Sequence, residues 1–163
     1  MSGLVGVIIA SSILSPFGQQ KTVDLKVVRG FLDRMQLKYV PHPKSADTLF
    51  VPITETTIAE RVDLYIEIRS DKTLVLSGYP KLRDKYFNIA RAIDREKLLQ
   101  KLLETNFRSF ATFFVDDQGD IGVRFTFTTE DGLGYEAFSV TVSEVARIAD
   151  EYTKVLDEQM KKE

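Results

Sequence analysis

His42, the only histidine in this 163-residue chain, is the first place to look for a general base. It stands between Pro41 and Pro43 in a connector, and no serine lies in a Gly-x-Ser-x-Gly setting that it could activate, so it reads as a turn residue. There is no cysteine. Thiolate catalysis, disulfides and sulfur-ligated zinc are thereby excluded, and a reducing cytoplasm is the simplest compartment. Asp116, Asp117 and Asp120 could offer oxygens to a hard cation. Their spacing is not that of an EF-hand loop and no bidentate glutamate follows in place, so Asp116-Asp117-Gln118-Gly119-Asp120 reads as a solvated hairpin turn. Gly132-Leu133-Gly134-Tyr135-Glu136-Ala137 formally satisfies the Gly-x-Gly-x-x-Ala variant of the dinucleotide fingerprint. That fingerprint brings backbone amides to a pyrophosphate inside a βαβ unit. Here no strand follows the helix, and Glu130, Asp131 and Glu136 would repel phosphate. The residues point to no catalytic group, no metal and no cofactor.

Binding chemistry is better represented. Lys81, Lys85, Arg91 and Lys101 lie in a basic stretch interleaved with Tyr79, Tyr86 and Phe87, which suits an anion or RNA. Asp84, Asp94 and Glu96 dilute it, the net charge is -2, and no RNP motif occurs, so nucleic acid ranks as the alternative. A second set is aromatic. Phe110, Phe113, Phe114, Phe125 and Phe127 cannot share one face, because successive strand residues point to opposite sides. Burying each is worth about 1.5–3 kcal/mol, so most belong to the core. A pair left on the other face would form a patch beside Tyr65 and Val75, of the kind a partner chain covers. Tyr65, Val75, Phe110, Phe114 and Arg124 are therefore the candidate partner-contacting residues. An aromatic pocket for a small molecule is a third reading.

The elements that must position these residues follow from periodicity. From Thr22, Val23, Val27, Val28, Phe31, Leu32 and Met35 recur at helical spacing. Three strands are expected next. Thr48 to Ile53 contains Pro52, an edge signal; Arg61 to Arg69 alternates Val62, Leu64, Ile66 and Ile68 with Asp63, Tyr65, Glu67 and Arg69; Thr73 to Tyr79 closes at Pro80. Asp94 caps a helix whose Leu98, Leu99, Leu102 and Leu103 form one apolar stripe. Phe110–Val115 and Ile121–Thr128 make a hairpin around the aspartate turn. Thr141-Val142-Ser143-Glu144 fits a capping box, with Val140 and Val145 as staple, opening a last long helix.

The order is α-β-β-β-α-β-β-α: an α+β domain with a five-stranded antiparallel sheet and helices mainly on one face. Residues 1–20 form an apolar extension and break, and 21–163 a single domain. Gly3 to Leu14 carries no charge and is too short to span a bilayer as a helix, so it is expected to be buried in the domain or in a partner subunit. Charge is uneven: residues 1–115 hold 17 basic and 12 acidic groups, residues 116–163 hold 5 and 12.

The stretch Leu102-Leu103-Glu104-Thr105-Asn106, then Phe113-Phe114-Val115-Asp116-Asp117-Gln118-Gly119-Asp120-Ile121, then a helix after Phe138, resembles the second half of the YbjN-like sensory-transduction regulators and the type III secretion chaperones. In those families a Leu-Leu-x-x-Asn helix end feeds a strand, an Asp/Gly turn and a returning strand. The order of elements from about Thr22 to Met160 matches as well. The resemblance implies a non-enzymatic, usually dimeric protein that binds other polypeptides; separately, the uncharged Gly3–Leu14 stretch lacks the basic polar face of an interfacial helix, so no membrane association is expected. The apolar segment before the first helix departs from the pattern.

Overall fold

The strict alternation in β3 (Arg61–Ile68) decides the layering, because Val62, Leu64 and Ile66 are fully buried while Tyr65 and Glu67 on the other side are only partly covered. The computed structural model describes residues 23–106, 109–129 and 132–161; the Gly3–Leu14 segment and the expected boundary at residue 20 lie outside them. β3 sits inside one antiparallel sheet with β1 (Val40–Pro41), β2 (Thr48–Ile53), β4 (Thr73–Leu82), β5 (Lys85–Tyr86), β6 (Thr112–Val115) and β7 (Ile121–Thr128). The order is β1-β2-β3-β4-β7-β6, with β5 pairing the far end of β4.

The sheet thus has seven strands rather than five, and both additions are two residues long. β1 is the extended stretch around Pro41, paired to Phe50 and Leu49. It stops short of Pro52, which consequently stays at an open edge of β2, where a missing N–H breaks no ladder. β5 exists because Arg83 and Asp84 both take left-handed conformations, φ 55° and 56°, closing a two-residue hairpin loop between Leu82 and Lys85. Such loops usually advertise themselves by Asn-Gly or Asp-Gly, which this one lacks. Ties from Lys81 Nζ to Asp84 Oδ1 (2.9 Å) and from the Asp84 amide to Glu60 Oε2 (2.9 Å) hold the turn. β4 also runs through Pro80 instead of closing there. Its ladder with β7 ends at Gly78, so Pro80 interrupts no pairing on that side.

Three helices, α1 (Leu25–Arg34), α2 (Arg95–Asn106) and α3 (Tyr135–Gln159), share one core with the sheet face bearing Leu64, Leu76 and Val123. Asp24 caps α1, its Oδ1 accepting from the Val27 amide at 2.9 Å. Asp94 caps α2 as expected, through the Lys97 amide. The leucine stripe of α2 is halved: Leu98 and Leu102 are buried, whereas Leu99 and Leu103 are 40% and 68% exposed. α2 lies over the short edge strand β6, which needs a narrow seam and not a broad face.

α3 begins two turns before the expected capping box, with Gly134 as its N-cap. The Thr141 hydroxyl accordingly donates to the Ala137 carbonyl inside the helix (2.8 Å), and Val140 is exposed instead of stapled. The early turns are stabilised by packing: Phe138 is fully buried against Phe31, and the Arg34 guanidinium lies 3.7 Å from the Tyr135 ring centre. α3 then crosses β4 closely. A Cβ on Gly78 would stand 3.0 Å from Val145 Cγ1. Farther along, buried Asp150 accepts from the Thr57, Ile58 and Ala59 amides at 2.7, 2.9 and 2.7 Å, pinning the β2–β3 connection to the helix.

Candidate functional site

The helices cover one face of the sheet, and the register fixes what the other face presents. Phe50 pairs Tyr65, Tyr65 pairs Ser77 and Ser77 pairs Arg124 in one row across the strands. In the next, Asp63 pairs Tyr79, and Phe114 pairs Gly122. Rings pack edge against face along this side of the sheet. Ring centres are 5.3 Å apart for Phe50 and Tyr65, 5.7 Å for Tyr65 and Tyr79, 5.5 Å for Tyr79 and Phe114, and 5.8 Å for Tyr79 and Tyr86. These are tilted or T-shaped pairs, each worth about 0.5–1.5 kcal/mol beyond its buried area. Gly122 makes the contact possible: a Cβ there would lie 2.8 Å from Phe114 Cε1 and 3.1 Å from Tyr79 Cδ1.

Charge holds the rings in position. Asp63, only 1% exposed, accepts from Arg61 Nε, from Arg61 Nη2 at 3.1 Å and from the Tyr86 hydroxyl. Burial, together with that hydrogen bond to a carboxylate, pushes the Tyr86 hydroxyl well above the ordinary tyrosine range. Burial and the nearby negative charge of Asp116 do the same to Tyr79. Arg124 lies 3.9 Å from the Phe114 ring centre and donates from Nε to Ser77 Oγ at 3.1 Å, and Lys81 Nζ sits 5.2 Å from the Tyr86 ring centre. Between the rings runs a trough of about 260 Å³, with His42, Glu67, Asp116 and Asp120 at its rim.

Of the expected partner-contacting residues, Tyr65, Phe114 and Arg124 meet on this open face. Val75 shares the face but is 2% exposed, covered by its neighbours. Phe110 goes to the other side. It precedes β6 and stacks on Phe125 at 4.2 Å, in register with the helix-covered residues, so it belongs to an apolar groove with Phe127, Leu133 and Val140. The basic set is divided. Lys81 is on the open face; Lys85 and Arg91 line a separate cavity of about 450 Å³ with Arg83, Lys161 and Asp157; Lys101 is on the exposed side of α2. Phe87, expected among the stacking groups, is buried.

The remaining motifs are accounted for locally. His42 Nδ1 accepts from the Lys44 amide at 3.3 Å, its ring 5.8 Å from Tyr65. Asp116 Oδ1 accepts from the Gln118 and Asp120 amides at 2.9 Å, and Asn88 Nδ2 bridges the Gln118 carbonyl and Asp120 Oδ1. Gly134 caps α3, and no strand follows that helix among the described residues, so no βαβ unit surrounds the glycines. Among the described residues no group of three or more His, Asp or Glu could hold a metal, and no helix is long and apolar enough to cross a membrane. Phe50 and Gly122 are members of the face that sequence reading did not name as contacts, and Asp63, placed beside Tyr65 by the β3 alternation, was not singled out. The β3 alternation carried a signal for Asp63; Gly122 carried none until the rings above it were placed.

An α+β layer with three helices on one side and an aromatic, charge-pinned sheet on the other is the class of protein that these features define. The profile of the YbjN family, described as "Putative bacterial sensory transduction regulator", matches residues 24–158, and the chain belongs to this family. No curated protein matches it. Two solved structures are similar in fold. A chain of the HopA1–SchA chaperone–effector complex aligns with TM-score 0.50 and 11% identity over 83% of this chain and 91% of that one. A chain of the ExsC–ExsE complex aligns with TM-score 0.52 and 14% identity over 82% and 97%. The Leu-Leu-x-x-Asn signature has a mechanical basis here. Asn106 Oδ1 accepts from the Phe113 amide and its Nδ2 donates to the Phe113 carbonyl at 3.0 Å, so one side chain pairs like a strand and fastens α2 to β6.

Proposed function

We propose that this chain is a non-enzymatic polypeptide-binding domain, chaperone-like or regulatory, that works in the cytoplasm as a homodimer and receives its partner on the open sheet face. The continuous line of rings from Phe50 through Tyr65 and Tyr79 to Phe114, covered by no helix among the described residues, carries the reading. Each of these rings is half-buried within the chain, and an aromatic layer of this extent left partly open is normally covered by another chain. Fold similarity to a chain from a chaperone–effector complex supports it, as does family membership. Tyr65, Phe114 and Arg124 are the contact residues proposed from the original set, with Phe50 and Tyr79 added.

The test is site-directed photo-cross-linking in the native cell, with a benzophenone side chain at Phe50 or at Val140, which is exposed on the opposite side. The expected result is a discrete polypeptide adduct at Phe50, lost in a Gly122→Val background, and none at Val140. Equal adducts at both positions, or none at Phe50, would overturn the reading. Light scattering is expected to give about twice the 18.5 kDa chain mass; a monomer would remove the dimer from the proposal.

A second reading is favoured by the 450 Å³ cavity, lined by Arg83, Lys85, Arg91 and Lys161 and by Asp157, which pairs with Arg83 at 3.2 Å. A small anion would be its ligand. Pyrophosphate binding that weakens with added salt and is lost in Arg91→Glu is the expected result; salt-independent binding or none would remove this reading.

A further inference from the structure

We infer that the trough at the centre of the open face is a subsite for one basic side chain, lysine or arginine, of the bound polypeptide. This rests on the polypeptide-binding reading and adds what the partner must present. The trough's volume of about 260 Å³ falls just below the ~300–1,000 Å³ of small-molecule sites and suits one side chain.

Its walls and charge select the kind. Tyr65 and Tyr79 meet at 85° and form two sides, and ring faces attract cations within about 6 Å of the ring centre. Two neighbouring rings of this face already carry cations of this chain, Arg124 over Phe114 and Lys81 over Tyr86. Among the residues lining the trough, Glu67, Asp116 and Asp120 are met by one guanidinium, that of Arg124, which packs on Phe114 and donates to Ser77. Asp116 and Asp120 are held in place by the turn hydrogen bonds, so their negative charge is prearranged. Glu67 lies 3.4 Å from Arg69 Nε, an exposed pair that contributes little and that an incoming cation can replace. An apolar side chain would leave the carboxylates beside it desolvated without compensation, and an acidic one would be repelled.

The experiment uses fluorescein-labelled heptapeptides of alternating valine and threonine with a central arginine, citrulline or glutamate, titrated by the full chain and followed by anisotropy. Citrulline keeps the planar shape of arginine and removes its charge. The arginine peptide is expected to bind about tenfold tighter than the citrulline peptide and the glutamate peptide weakest. The arginine preference should shrink to about threefold in Glu67→Gln and with added salt. Equal binding of arginine and citrulline peptides would overturn the subsite while leaving the polypeptide reading intact. Absence of binding by all three would also overturn it, and the polypeptide reading would then stand or fall on the cross-links at Phe50.

Discussion

The two faces of this sheet are built from the same strands by opposite means. On the covered face Leu49, Val62, Leu64, Ile66, Leu74 and Leu76 are all fully buried, and shape alone holds them against the helices. On the open face the side chains are rings, hydroxyls and charges, kept in register by Asp63, Ser77 and the paired cations. Each face has a glycine where something passes close: Gly78 under Val145, Gly122 under Phe114 and Tyr79. Each has a buried aspartate. Asp150 grips three backbone amides and Asp63 grips two side chains. One face is made to be permanent, the other to hold its shape while remaining accessible.

Asp150→Ala should break the covered side most severely. It strands three amides, one of them buried, and is expected to cost about 3–5 kcal/mol, read as a lower urea midpoint at unchanged slope. Gly78→Ala should follow, at about 1–3 kcal/mol, because the new methyl meets Val145 at 3.0 Å and Val62 at 3.4 Å in a packed core. Peptide affinity of the folded Gly78→Ala protein should stay within about twofold of the parent. Gly122→Ala sharpens the contrast: the displaced Phe114 ring is at a sheet edge and has room to move, so stability should fall by less than about 1 kcal/mol while peptide affinity drops about tenfold. Equal effects of the two alanines on stability and binding would deny the division of labour between the faces.

The smallest effect concerns pH. Tyr79 and Tyr86 have hydroxyls raised above the tyrosine value of about 10 in the folded state, chiefly by burial. Above pH 10 the unfolded chain gives up these protons first, so the folded state binds more and stability falls as pH rises. The contribution is complete below pH 10 and is expected to be lost at no more than about 1 kcal/mol per pH unit above it, because both rings are partly solvated. Urea midpoints from pH 9 to 11.5 check this, and Tyr86→Phe should flatten the slope.

Much of the covered face was legible from periodicity. The alternation of Val62, Leu64 and Ile66 announced its buried side, and Asp94 announced the start of α2, because both signals are local. Signals that depend on what packs above were misread. Leu99 and Leu103 look identical to Leu98 and Leu102 until the width of β6 is known. Thr141 looks like a cap until Phe138 is seen under Phe31. Phe110 and Phe114 share a strand parity, yet the chain bends before β6 and sends Phe110 to the covered side.

The sequence by itself determined the layer: its helices, its antiparallel strands and the absence of any cysteine or catalytic histidine setting follow from spacing and composition along the chain. Only the tertiary structure decided which rings meet on the open face, that Gly122 lets them meet, and that three carboxylates border the trough between them. Those facts join residues far apart in the chain, such as Tyr65, Tyr79, Phe114 and Asp120, whose proximity is set by strand register and not by any local propensity.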